Sequence, residues 1–146
     1  MNEKVFEFLR QTKLEAAPET YFLISLPENE FLNLLANPEI SPRMSAPFLI
    51  FKDQFEITLL LDEIDFNKIR NEIPNAKIES GFRLLTFDIV LDFNVIGFLA
   101  EIAKILAEAE ISIIALSAFS RDHILVKQEN LAKALKVLGE YVEELC

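Results

Sequence analysis

The amino-acid sequence predicts an α+β fold with antiparallel sheets, arranged as two tandem copies of a ferredoxin-like βαββαβ unit, the first copy degenerate. Three observations predict it. From Leu84 the apolar pattern runs strand, helix, strand, strand, helix. From Tyr21 a similar order recurs in weaker form. Apolar residues make up 51% of the 146, and thirteen phenylalanines supply the bulk of a packed core. The expected organisation is an amphipathic arm at 1–17, a degenerate half at 18–80 and a better preserved domain at 81–146.

Taken in order, residues 3–14 carry Val5, Phe6, Leu9 and, less regularly, Phe8 and Leu14, the spacing of a short amphipathic helix ended by Pro18. "YFLISL" (21–26) is a strand closed by Pro27, and "ENEFLNLLANPE" a short helix stopped by Pro38. "PFLIFKDQFEITLLLDEI" is a hairpin turning at 52–54. "DFNKIRNEI" is a helix with Asp65 as N-cap, stopped by Pro74. A long strand lies within "AKIESGFRLLTFDIVLDF". "VIGFLAEIAKILAEAE" is the strongest helix, 95–109, with Ile96, Leu99, Ala103, Leu106 and Ala107 near one face. "ISIIALSAF" and "HILVKQ" pair as strands across Ser120 to Asp122. "ENLAKALKVLGEYV" is a last amphipathic helix, and "YVEELC" leaves room for an edge strand, so strands shared between copies or chains remain open.

The balance of charge excludes several functions. A net charge of −10 and a pI near 4.6 leave no basic face for nucleic acid or for anionic membranes. No apolar run approaches the ~18–20 residues of a membrane span, and "MNEKVFEFLRQTK" lacks the pattern of a secretory signal. The lone cysteine, Cys146, has no internal partner. A cytoplasmic protein is expected. One histidine, one cysteine and no calcium-loop spacing give no metal site, and there is no phosphate loop or nucleophile elbow, so no cofactor is expected. His123, although next to Asp122 and near Ser120, is read as structural or as part of a ligand wall, because sequence-adjacent partners do not make a catalytic constellation. No enzymatic activity is expected.

The segment "LDFNVIGFLAEIAKILAEAEISI" followed by "LSAFSRDHILV" and a helix opening "QENLAKAL" resembles an ACT domain. The likeness is to the type found in aspartate kinases and in small stand-alone tandem proteins related to cytosolic arginine sensors. It covers about 82–140 well and 21–74 only by the order of elements. It implies a regulatory module that binds a small effector, an amino acid above all, and works as a homodimer. The chain departs from the usual hairpin "S-T-F-D-T-D-Y-I-L-V": Ser120 replaces the first Asp, Arg121 the Thr and His123 the Tyr. Val95-Ile96 precede the glycine where a smaller polar residue is usual.

Gly97, one of three glycines, stands at the start of a helix whose interior would disfavour it by roughly 1 kcal/mol. Together with the resemblance it assigns a ligand site to Asp92, Phe93, Asn94, Val95, Ile96, Gly97 and Phe98, facing Ser117, Ala118, Phe119 and Asp122. A carboxylate is expected on the amides of 95–98, and an α-ammonium on Asp92 or Asp122. Ser117 would add a hydroxyl and Phe119 an apolar wall. A second reading has Gly97 serving only a close helix–sheet crossing, with Asn94 or Asp92 as N-cap. The corresponding alternative for the whole chain is a protein–protein interaction or dimerisation module whose ligand site has decayed.

Overall fold

The computed structural model describes residues 3–146; residues 1 and 2 of the expected arm lie outside them. By internal contact the chain forms two compact units, Glu19–Phe82 and a second made of Met1–Pro18 with Arg83–Cys146. The boundaries fall inside two long strands, β1 (Lys13–Leu26) and β4 (Lys77–Asp88), and residues 3–18 group with Arg83–Cys146.

The N-terminal helix α1 is Glu3–Arg10, shorter than its apolar spacing suggests. The Oγ1 of Thr12 turns back to donate to the carbonyl of Phe8 (2.6 Å), and Leu14, expected on the helix, is fully buried from a strand. Pro18 therefore ends no helix. Its fixed φ suits extended backbone, and it precedes the stretch Tyr21–Leu26 that pairs with β3, so its missing N–H forfeits no bond to that strand.

In the unit Glu19–Phe82 the order is β1, α2 (Glu28–Leu35), β2 (Leu49–Lys52), β3 (Ile57–Asp62), α3 (Glu63–Ile69) and β4, with strands adjacent as β2-β3-β1-β4. This is a complete βαββαβ pattern. Ile24, Leu26, Ile57, Leu59 and Leu61 alternate onto the helix side and pack with Phe66, Ile69 and Ile73. The hairpin turns one step later than expected: the Oδ1 of Asp53 accepts from the amides of Phe55 (2.7 Å) and Glu56 (2.8 Å). Those two bonds hold the Asp53 carboxyl below its ordinary 3.8. The N-cap of α3 is Asp62, whose Oδ1 accepts from the amide of Asp65 (2.8 Å). Asp65, expected in that role, is buried one turn further on and bound to Arg43.

In the other unit β4 leads to α4 (Phe98–Glu108), β5 (Ile114–Ser117), β6 (Asp122–Lys127), α5 (Leu131–Leu138) and β7 (Glu144–Leu145), with the order β1-β4-β6-β5. The place of a fourth strand beside β4 is taken by the N-terminal part of β1, which also pairs parallel with β7 through Lys13↔Glu144 and Leu14↔Leu145. "YVEELC" thus supplies its edge strand. Leu85 and Phe87 of β4 and Ile124 and Val126 of β6 point to the helices and meet Phe98, Ile102, Leu106, Ala134 and Leu138, each buried. Their burial contributes about 1.5–3 kcal/mol per large side chain. The buried stripe of α4 is Phe98, Ile102, Ile105 and Leu106, not the one through Ile96, Ala103 and Ala107; Ile96 precedes the helix and is 84% exposed.

Among the described residues no helix is long and apolar enough to cross a membrane, and no three His, Cys, Asp or Glu side chains stand together to hold a metal.

Candidate functional site

Between β4 and α4 lies the segment 89–97, organised by Asp92. Its Oδ1 accepts from the amide of Asn94 (2.7 Å), and its carbonyl accepts from the amide of Val95 (3.2 Å). Such an Asx turn is the local alternative that aspartate offers to helix. The helix therefore does not begin at 95, and neither Asp92 nor Asn94 caps it.

Gly97 is the N-cap, at φ 93° and ψ 1° in the left-handed region, and no side chain caps the helix there. Its carbonyl receives the first helical bond, from the amide of Glu101 (3.0 Å). The amides of Phe98, Leu99 and Ala100 consequently have no intrahelical acceptor. The amide of Val95, expected to receive an anion, is already committed to Asp92. The available donors are therefore those of 98–100. A Cβ on Gly97 would come only within 3.8 Å of Val5 Cγ2, an ordinary contact, so close crossing of helix and sheet does not explain this glycine. Its positive φ does.

The β5–β6 hairpin faces this helix start. The amide of Ala118 donates to the carbonyl of Arg121 (2.9 Å), closing the turn, and the hydroxyl of Ser117 donates to Oδ1 of Asp122 (2.7 Å). The amide of Leu91 reaches the carbonyl of Ser120 at 3.5 Å. Arg121 Nε donates to Oδ1 of Asp88 (2.8 Å), with both side chains partly exposed. Phe93 from the first loop and Phe119 from the second stand edge to face, ring centroids 5.2 Å apart at 87°.

These two segments enclose a cleft of about 360 Å³. Asp92, Phe93, Val95, Gly97, Phe98, Ser117, Ala118, Phe119 and Asp122 line it, as the sequence groups them. Asn94 and Ile96 do not; they border a separate cavity of about 340 Å³ beside Lys4, Val5 and Phe8 of α1. Leu91, Leu99, Ala100, Ser120 and Arg121 also line the cleft and escape the sequence reading. Leu99 and Ala100 would have entered it had the helix start been placed at Gly97.

His123 lies outside the cleft lining. Its Nδ1 is 2.8 Å from the Oγ1 of Thr86 on the adjacent strand, and burial pushes its pKa below the ordinary 6.5.

Residues 77–140 match the family model of the ACT domain. Solved structures share the fold at low identity. A protein from Agrobacterium tumefaciens is 20% identical over 93% of this chain and 92% of its own, with a TM-score of 0.70. A Vibrio cholerae protein of unknown function, described as a possible transport protein, is 24% identical over 95% and 97%, at 0.68. The regulatory subunit of aspartate kinase from Thermus thermophilus, in its ligand-free form, is 10% identical over 91% and 98%, at 0.62. No curated protein matches the chain in sequence.

Proposed function

We propose that this chain, which carries an ACT domain over 77–140, is a non-enzymatic cytoplasmic regulatory module that binds a free amino acid in the cleft at the start of α4 and works as a homodimer. One observation carries the reading. The uncapped amides of 98–100, set by the left-handed Gly97, open on the same cleft as the carboxylates of Asp92 and Asp122. A helix N-terminus favours a carboxylate, and an aspartate favours an ammonium. A zwitterion meets both needs at once, and each aspartate has one oxygen beyond the one bonded to Asn94 or Ser117.

Binding regulates only through differential affinity for two arrangements of the module, in one chain or between copies. The cleft is suited to that role because its two walls are separate segments, 91–100 and 117–122, which one ligand would bridge.

The alternative, an interaction or dimerisation module with a decayed site, draws support from the internal pairing of Arg121 with Asp88 and of Asp122 with Ser117. A thermal-shift screen against the twenty amino acids and common nucleotides separates the two. At a hundred times its dissociation constant a native-state ligand adds about 2.7 kcal/mol, a rise of roughly 5–10 °C for a chain of this size. A selective rise with one class of amino acid is the expected result. A flat response at millimolar concentration would leave the interaction module as the better reading.

A further inference from the structure

We infer that the amino acid taken by this cleft has a bulky apolar side chain, aromatic above all, and that Phe93 and Phe119 form the subsite for it. The inference rests on the amino-acid reading of the cleft and names its ligand class.

The first argument is what the two rings do now. They project from different loops, touch each other edge to face, and are 79% and 83% exposed. Large aromatic side chains gain from burial in proportion to area, and neither ring gains it within its own chain. Both line the cleft that also holds the amides of 98–100, so a ligand anchored on those amides has the two rings within its reach. An aromatic guest could continue the edge-to-face geometry already present.

The second argument is charge. Among the described residues Arg121 is the one cation lining the cleft, and it is tied to Asp88, which leaves little to hold an acidic side chain. Of the carboxylates, Asp92 is engaged by the amide of Asn94 and Asp122 by Ser117, and what remains of their capacity is needed for the α-ammonium. Leu91, Val95, Leu99 and Ala118 add apolar lining to that of the rings, with Ser120 the one further polar side chain of the cleft among the described residues.

The unit Glu19–Phe82 sets the stoichiometry. At its corresponding position β1 passes straight into α2, with Pro27 as the N-cap and no intervening loop. Glu28 and Glu30 occupy the first turn, and the buried Glu30 accepts from the amide of Asn75 (3.1 Å). Acidic side chains already complement that helix end and repel a carboxylate. The ligand therefore binds once per chain.

Calorimetric titration of the full chain with L-phenylalanine, L-leucine, L-lysine and L-aspartate tests the assignment. One site per chain is expected, with phenylalanine tightest, leucine next, and lysine and aspartate weaker by roughly tenfold or more. Phe119→Ala, and likewise Phe93→Ala, should weaken phenylalanine binding by about tenfold while leaving the melting temperature unchanged, since both rings are exposed. Tightest binding of lysine or aspartate, unaffected by either substitution, would overturn the side-chain assignment while leaving the amino-acid reading intact. No binding of any of the four, with a dimer that dissociates in the Phe93→Ala/Phe119→Ala variant, would overturn both and give the rings to a second copy.

Discussion

Arg43→Ala is expected to remove about 2–3 kcal/mol of stability, a large share of the 5–15 kcal/mol that holds a domain together. The residue lies in the connection between α2 and β2, where the regular structure is one short 3-10 turn, Pro38–Ile40. Its Nη2 donates to Oδ2 of Asp62, and its Nε donates to Oδ1 of Asp65 (3.1 Å). Its backbone amide adds bonds to both oxygens of Asp65 (3.2 Å each). Both aspartate side chains are 2% exposed, whereas that of Arg43 is 33% exposed.

Removing the guanidinium strands two buried carboxylates. Lys68, 3.3 Å from Asp65 Oδ1, compensates for one of them only. Partial exposure of Arg43 puts the effect at or below the low end of the range for a broken buried pair. Lysine should not restore the loss, because one ammonium cannot reach both carboxylates with the fork geometry of arginine. Urea denaturation of Arg43→Ala and Arg43→Lys measures this directly. A loss under about 0.5 kcal/mol, the scale of an ordinary surface change, would show that the cluster does not hold the connection in place.

The second large effect is expected at Gly97. At φ 93° a side chain is strained whatever the space around it, so Gly97→Ala should cost about 1–2 kcal/mol. It should also move the start of α4 and with it the amides of 98–100, weakening ligand binding by tenfold or more. Gly97→Asn, a residue that visits the left-handed region, should recover most of the stability. Melting curves and titrations of the two variants give the answer. If alanine changes neither property, the left-handed N-cap is not what this glycine is for.

These two sites also mark where the sequence was hard to read. The sequence predicts Asp65 as the cap of α3, but Asp62 caps the helix, and Asp65 is held instead by Arg43, 22 residues away. At the other helix, Val95 and Ile96 continue the apolar periodicity towards the N-terminus, which placed the start at 95, whereas the helix begins at Phe98 and the amide of Val95 is bonded to the carbonyl of Asp92. What decides the matter is the Asx turn at Asp92 and the positive φ of Gly97, and apolar spacing reports neither. The strand at 13–18 was hidden for a similar reason: Leu14 fits a helical stripe as well as an extended one, and its strand partners lie far off in β4 and β7. By contrast, the sheets and helices of 84–138 were legible because Leu85, Phe87, Ile124 and Val126 alternate cleanly and α4 and α5 are amphipathic. The facing of the "DFNVIGF" loop and the "SAFSRD" hairpin was implied by the family resemblance together with Gly97, so most of the cleft lining could be named before Leu91, Leu99, Ala100, Ser120 and Arg121 were added to it.

In the proposed function a zwitterion sits on the helix start at Gly97. Amide chemical shifts of ¹⁵N-labelled protein titrated with L-phenylalanine, or with whichever amino acid raises the melting temperature most, test it most directly. The largest changes are expected at Phe98, Leu99 and Ala100, saturating together with smaller ones across 117–122, while the amides of α2 stay still. Saturable binding with those three amides unmoved would contradict it.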